Sequence, residues 1–270
     1  MAKLHFISGL PRSGSTLLGA LLRQNPRFSA GMSSPVATLC GGMHTKISGS
    51  EFGVFFDEDR RKRMLRGVFD SYYPDLPIDH VVFDTNRSWT GKMALLKSLY
   101  PSSRVICCVR DVGWIIDSVE RMLNKNPTQL SRIFNFKPGA SVYSRVDILM
   151  NSDTGLIGQA WSTLREAWFG DLAQRLIVVP YERLARDPKD VLQRLYVELG
   201  EPYFAHDFDN VAYDEPEFDA ELGMPGLHKV REKVAYQART ASIPPDLFAK
   251  YNATNFWMTP ELNVRGVKIL

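Results

Sequence analysis

Cysteine is scarce, with three in 270 residues: Cys40, Cys107 and Cys108. No pair has a metal-binding spacing, and three cysteines do not make a disulfide framework. Cys107 and Cys108 adjoin on an expected strand, point to opposite faces and read as small buried residues. Long apolar runs are also lacking, and none approaches the roughly 20 residues of a membrane span. The first expected strand begins near residue 3, leaving no space ahead of it for a signal peptide. Strong charge of one sign is missing too. A net charge of +3 is too mild to argue for nucleic acid, although it suits a small anionic ligand if the excess gathers at one pocket. These absences point to a cytoplasmic, enzyme-sized chain. With no internal repeat or domain boundary, residues 1–270 are expected to form one domain.

What is present begins almost at once. Lys3-Leu-His-Phe-Ile-Ser8 reads as a strand, Gly9-Leu-Pro-Arg-Ser-Gly-Ser-Thr16 as a loop, and Leu17-Leu-Gly-Ala-Leu-Leu22 as a helix. Strand, glycine loop and helix together aim free backbone N–H groups and a helix dipole at an anion. The spacing Gly9-x-x-x-x-Gly14-x-Thr16 is that of a phosphate-binding P-loop with one departure, because Ser15 stands where such loops carry lysine. Ser15 cannot neutralise a triphosphate. Arg12, inside the loop, can fork onto an oxyanion. A loop of amides, hydroxyls (Ser13, Ser15, Thr16) and one arginine fits a less charged group, such as a phosphosulfate.

Further strands are expected at 80–84, 104–109 and 175–179. Helices are expected at 15–24, 57–73, 90–100, 112–123, 155–173 and 189–199, the last capped by Gly200. Residues 27–50 read as a loop-rich segment holding His44, and 124–153 as an excursion over the site. Trp161 and Trp168, seven apart on one helix, read as core. The charged run 57–63 reads as a solvated helix face. From residue 201 the pattern weakens, apart from a cationic stretch, Leu227-His-Lys-Val-Arg-Glu-Lys233. Strands alternating with helices predict an α/β fold, three layers α/β/α around a central parallel sheet, with loop-rich insertions. Such sheets bind ligands at the carboxyl ends of their strands. Asp84 ends an expected strand, and Arg12 to Thr16, Arg110 and Tyr181 fall just after one.

Gly9-Leu-Pro-Arg-Ser-Gly-Ser-Thr-Leu-Leu18 resembles the 5′-phosphosulfate loop of sulfotransferases that use 3′-phosphoadenosine 5′-phosphosulfate (PAPS). It is most similar to the form in tyrosylprotein sulfotransferases and related bacterial enzymes. Arg104-Val-Ile-Cys-Cys-Val-Arg110 followed by Ser118 resembles the family's strand-end arginine and helix serine, which bind the 3′-phosphate. Val178-Val-Pro-Tyr181-Glu-Arg-Leu184 resembles a third element, whose tyrosine contacts the cofactor. The resemblance spans residues 5 to 200 and implies a P-loop-type transferase. It implies PAPS as cofactor, leaving 3′-phosphoadenosine 5′-phosphate, and no metal. Arg12, Ser13, Gly14, Ser15, Thr16, Arg110, Ser118 and Tyr181 are then cofactor contacts. In-line attack by an acceptor hydroxyl on sulfur is the mechanism implied.

The proton acceptor is where the chain departs from its relatives. The tyrosylprotein type places a Glu where this chain has Ser33 or its neighbours, and the cytosolic type a His where Phe83 to Arg87 contain none. Asp84 leads the candidates, followed by His44 and Glu51. An unperturbed Asp titrates near 4, so Asp84 would need burial or a carboxylate neighbour to act as a base. The alternative for Asp84 is a carboxylate capping the next helix. Arg87 can stand in for the relatives' electrophilic lysine. The cytosolic Arg-Lys-Gly motif is absent. Lys229, Arg231 and Lys233 would share one face of an extended segment, at the cofactor, at the acceptor or in solvent. Phe52, Phe55, Phe56, Phe134, Phe136 and Tyr143 either line an acceptor pocket or anchor loops. The acceptor itself stays open among a small molecule, a lipid, a sugar and a peptide tyrosine, as does the oligomeric state. Other classes compatible with the loop are a P-loop phosphotransferase or nucleotide kinase, which would need Mg²⁺, and a non-catalytic nucleotide-binding module.

Overall fold

The computed structural model describes residues 3–49, 51–73, 76–125, 127–128, 130–134 and 141–270. Six strands make one sheet: β1 (Lys3–Gly9), β2 (Phe28–Ala30), β3 (Val81–Thr85), β4 (Val105–Val109), β5 (Leu176–Pro180) and β6 (Lys268–Ile269). Their order is β2-β3-β1-β4-β5-β6, and every pairing is parallel. The helices are α1 (Ser15–Leu22), α2 (Val36–Ser48), α3 (Glu58–Tyr72), α4 (Met93–Leu99), α5 (Val112–Lys125) and α6 (Val142–Met150). They continue with α7 (Gly158–Phe169), α8 (Tyr181–Arg186), α9 (Pro188–Leu199), α10 (Pro216–Glu221) and α11 (Pro245–Asn252).

The central strands are buried on both faces because their residues alternate between two cores. Phe6, Val105, Cys107, Val109, Leu176 and Val178 face one core with Trp89 and Trp168. Ile7, Ile106, Cys108, Ile177 and Val179 face the other, against Leu18, Leu21, Leu192 and Leu195. Helices therefore cover both sides, and the expected α/β/α layering is what the structure shows. The adjacent cysteines do split between faces, both buried. Trp168 is core and the half-buried Trp161 packs against it, each edge-on to Phe256. Each indole N–H reaches a carbonyl, Trp168 that of Leu262 at 2.9 Å and Trp161 that of Thr254 at 3.1 Å.

Local chemistry sets the helix ends. The Asp57 side chain accepts from Arg60 N at 2.7 Å at the start of α3. Gly200, at φ 68°, closes α9 in the left-handed conformation a glycine adopts without steric cost. Three expected loop regions hold more order than the sequence announces. Within 27–50 the structure has β2 and the 13-residue α2, which buries Val36, Ala37, Cys40 and Ile47. Within 124–153, α6 starts with a capping box at Ser141 and is tied to α5 by a two-pronged Arg145–Glu120 pair at 2.9 and 2.5 Å. The stretch 208–213 pairs with 230–234 through backbone hydrogen bonds (Val234 N to Phe208 O, Val211 N to Glu232 O, Val230 N to Tyr213 O). Among the described residues no helix is long and apolar enough to cross a membrane.

Candidate active site

The carboxyl ends of β1, β3, β4 and β5 open into one cavity of about 490 Å³. Its floor is the loop after β1. Gly9 has φ 126°, and a Cβ there would lie 2.1 Å from the Cys108 carbonyl oxygen. Gly14, at φ 91°, is the N-cap of α1, and a Cβ would lie 2.9 Å from Cδ2 of Tyr181. No side chain caps that helix, so its first N–H groups stay available to an anion. Arg12, at φ 57°, is the one non-glycine residue with positive φ among the described residues. Such a conformation persists only where surrounding contacts impose it.

Those contacts are visible. The buried Ser13 hydroxyl donates to the carbonyls of Leu10 and of Cys108, the latter at 2.8 Å. It locks the loop onto β4 and does not line the cavity, unlike Ser15 and Thr16. Arg110, one residue beyond β4, donates from Nη1 to the Arg12 carbonyl at 3.4 Å. Its guanidinium lies over the Tyr181 ring, 4.4 Å from the centroid, and its buried Nε has no hydrogen-bond partner. The nearest carboxylate oxygen, from Glu182, is 3.8 Å from that nitrogen. Arg12 donates from Nε to Ser118 Oγ at 3.3 Å and from Nη1 to the Leu227 carbonyl, leaving Nη2 for a ligand. Burial first, then the neighbouring Arg110, pushes the Arg12 guanidinium below its ordinary value. Thus Arg12, Gly14, Ser15, Thr16, Arg110, Ser118 and Tyr181 line one cavity.

Lys229, Arg231, Lys233 and Arg239 line it as well, from the stretch after α10. The expected alternation is present: Val230 and Val234 pack on the core while the three cationic residues point away. Lys229 is 3.7 Å from Asp214, Lys233 2.7 Å from Asp209, and Arg239 3.1 Å from Asp117. Arg87, two residues after β3, is accessible from the cavity and has no hydrogen-bond acceptor among the described residues. Surrounding protein lowers its guanidinium from the ordinary value. With Arg12 and Arg110, seven cationic side chains line the cavity and no described carboxylate does.

The three candidate bases lie elsewhere. Strand alternation turns Asp84 into the core under α2 and α3, with no exposure, while Thr85 faces the cavity. Both Asp84 oxygens are occupied: Oδ1 accepts from Trp89 Nε1 at 2.7 Å, and Oδ2 from Ser34 Oγ at 2.7 Å and Tyr73 OH at 2.8 Å. Burial raises its carboxyl above the ordinary range. His44 is exposed on α2, outside the cavity wall, and Glu51 is exposed on the turn after it. None of the expected acceptor aromatics among the described residues lines the cavity either. Phe134 is core, Phe56 packs against it, and Phe52 and Phe55 are exposed, stacked on each other. The Tyr143 hydroxyl donates to Asp246, and Phe136 lies outside the described residues. A larger apolar groove of about 910 Å³ runs between α2 and α3, lined by Leu39, Met43, Met64 and Val68. Lys46 is its one cationic lining residue, so it is a poor match for a polyanion.

His228 stands out in the sequence only as part of a cationic stretch. It lines the cavity, and its Nδ1 sits 2.5 Å from Oδ1 of the fully buried Asp219. No spacing rule links the two. They meet because α10 ends in two left-handed turns, Gly223 at φ 65° and Gly226 at φ 75°, that fold the chain back.

With this geometry in place the relationships are informative. The sulfotransferase family model matches residues 5–205, so the chain belongs to that family of transferases. Among solved structures, the sulfotransferase domain from the curacin biosynthetic pathway superposes with a TM-score of 0.60. It is 15% identical, with 96% of this chain and 98% of that one covered. The sulfotransferase domain of the Synechococcus PCC 7002 olefin synthase gives 0.46 at 19% identity, covering 94% of each chain. A sulfotransferase from Alicyclobacillus acidocaldarius gives 0.49 at 15% identity, with 82% of this chain and 90% of that one covered. Only the first supports the shared fold. No curated protein sequence matches the chain.

Proposed function

We propose that the protein transfers a sulfuryl group from PAPS to the hydroxyl of an acceptor. The observation that carries this is the cavity wall itself: seven cationic side chains, a glycine-lined anion loop and no described carboxylate. The residues fit the donor. The loop offers a cradle that a Cβ at Gly9 or Gly14 would fill, and Arg110, on the cavity lining, has a buried Nε with no hydrogen-bond partner. Bound there, PAPS supplies an electrophilic sulfur and a phosphate leaving group. The α1 amides, Ser15, Thr16 and Arg12 hold its 5′ end and meet charge on the bridging oxygen. Arg110 and Ser118 hold the 3′-phosphate. Tyr181 flanks the nucleotide and fixes the Arg110 plane. Lys229 and Arg231 add long-range attraction for the polyanion. Arg87 takes the electrophilic role at the sulfuryl oxygens. Ser13 serves by holding the loop, through its hydroxyl, in the shape that exposes these amides. Asp84 is assigned a structural role, because three donors already fill its oxygens.

A kinase needs carboxylates or hydroxyls that hold Mg²⁺ beside a loop lysine. Ser15 and the carboxylate-free wall favour sulfuryl transfer instead. Calorimetry separates the two. In EDTA, 3′-phosphoadenosine 5′-phosphate is expected to bind, and more tightly than ATP does with Mg²⁺. Binding of ATP·Mg with no affinity for the bisphosphate would overturn the proposal. Bisphosphate binding with no sulfate transferred to any acceptor would indicate a binding module.

A further inference from the structure

Besides its cationic side chains, the cavity lining has an apolar share: Met32, Met122, Ile133, Leu222 and Met224, with Phe218 as the one phenylalanine. These side chains offer no conventional hydrogen-bond donor to a sugar and no charge to an ionic peptide. Methionine and leucine adapt to a flexible aliphatic chain. His228 belongs to the same segment as Phe218, Leu222 and Met224, and its ring meets Phe218 edge-on with centroids 5.6 Å apart. The residue before it is tied to the anion loop, because the Leu227 carbonyl accepts from Arg12. Residue 228 is thereby tethered beside the anion loop.

The ring's orientation is fixed by Asp219. Its Oδ2 accepts from the His228 backbone N at 2.8 Å and its Oδ1 faces Nδ1 at 2.5 Å. A carboxylate only accepts, so Nδ1 carries the proton and Nε2 carries the lone pair. Nε2 has no hydrogen-bond partner among the described residues, on a ring that lines the cavity. A buried carboxylate behind an imidazole is the arrangement that orients a general base and stabilises the cation it becomes.

Resting on the sulfotransferase reading, we infer that segment 216–228 forms the subsite for an aliphatic alcohol, with His228 as the general base for its hydroxyl and Asp219 as the positioning residue. The acceptor oxygen bonds to sulfur as the sulfur–oxygen bond to the phosphate breaks, its electron pair leaving on the phosphate oxygen. The hydroxyl proton passes to Nε2 and then to solvent. An aliphatic alcohol needs this base more than a phenol does, since a phenol loses its proton far more readily.

The test uses the full chain with ³⁵S-labelled PAPS and 1-octanol as the probe, against glucose and N-acetyltyrosinamide. Octanol is expected to be sulfated in preference to both. His228→Gln is expected to lower kcat about 10²- to 10⁴-fold, with affinity for 3′-phosphoadenosine 5′-phosphate held within twofold, which also shows that the variant folds. Asp219→Asn should lower kcat with little change in KM for octanol, and imidazole should partly restore His228→Ala. Wild-type kcat in His228→Gln, or preference for glucose or the phenol, overturns the inference. So does donor binding with no transfer to octanol. Failure of the wild-type protein to bind the bisphosphate would instead remove the donor reading, and this inference with it.

Discussion

Arg110→Ala tests most sharply how the donor is held. The side chain does three things: Nη1 supports the Arg12 carbonyl at 3.4 Å, the guanidinium stacks 4.4 Å from the Tyr181 centroid, and the buried Nε, 3.8 Å from Glu182, makes no hydrogen bond. A hydrogen bond to a charged group contributes about 1.5–3 kcal/mol. Its removal is therefore expected to weaken binding of 3′-phosphoadenosine 5′-phosphate roughly 10- to 150-fold. Losing support for the left-handed Arg12 adds to this. Arg110→Lys keeps the charge but loses the planar fork and the stacking, so it should recover only part of the loss. Titration calorimetry gives the affinities, and a thermal melt by circular dichroism checks that each variant folds. An Arg110→Ala protein that binds the bisphosphate within twofold of wild type would refute the assignment.

Gly14→Ala puts a Cβ 2.9 Å from Tyr181 in a residue at φ 91°. A loss of about 1–2 kcal/mol in stability and weaker bisphosphate binding are expected, read by urea unfolding and calorimetry. Asp84→Ala strands the Trp89, Ser34 and Tyr73 donors and should cost about 3 kcal/mol or more, whereas Asp84→Asn should fold and keep turnover within a few-fold. Burial raises the Asp84 carboxyl, so the folded chain keeps its proton there longer than the unfolded chain. That contribution is present below about pH 4 and is lost as pH rises through the raised value. Unfolding of Asp84→Asn across that range should lack the slope. His5 and His206 show the opposite sign, because burial lowers each to about 4. Unfolded imidazoles take up protons below about pH 6.5, so stability should fall between pH 6.5 and 4, by an amount on the order of 3 kcal/mol per histidine. Chemical denaturation at stepped pH, with and without His206→Gln, measures this.

The four central strands were readable because they are near-continuous apolar runs and the loop after the first carries a spaced glycine pattern, whereas the edge strands β2 and β6 are too short to show. Arg110, Ser118 and Tyr181 converge with the loop because each belongs to a strand's carboxyl end or to the helix that follows it. The missed helix α2 contains Thr38, Gly41, Gly42 and Thr45, which dilute helix propensity, and it forms where packing against α3 outweighs that deficit. Asp84 misled because position near the end of a strand says nothing about which face a side chain takes, and alternation within β3 sends it into the core. His228 and Asp219 escaped notice because their contact depends on two glycine turns rather than on a helical or strand period.

A crystal structure with 3′-phosphoadenosine 5′-phosphate bound tests the donor site most directly. The 5′-phosphate is expected in the loop from Gly9 to Thr16, with Arg12 against it, and the 3′-phosphate between Arg110 and Ser118. A nucleotide bound in the opposite sense, or outside this cavity, would contradict it.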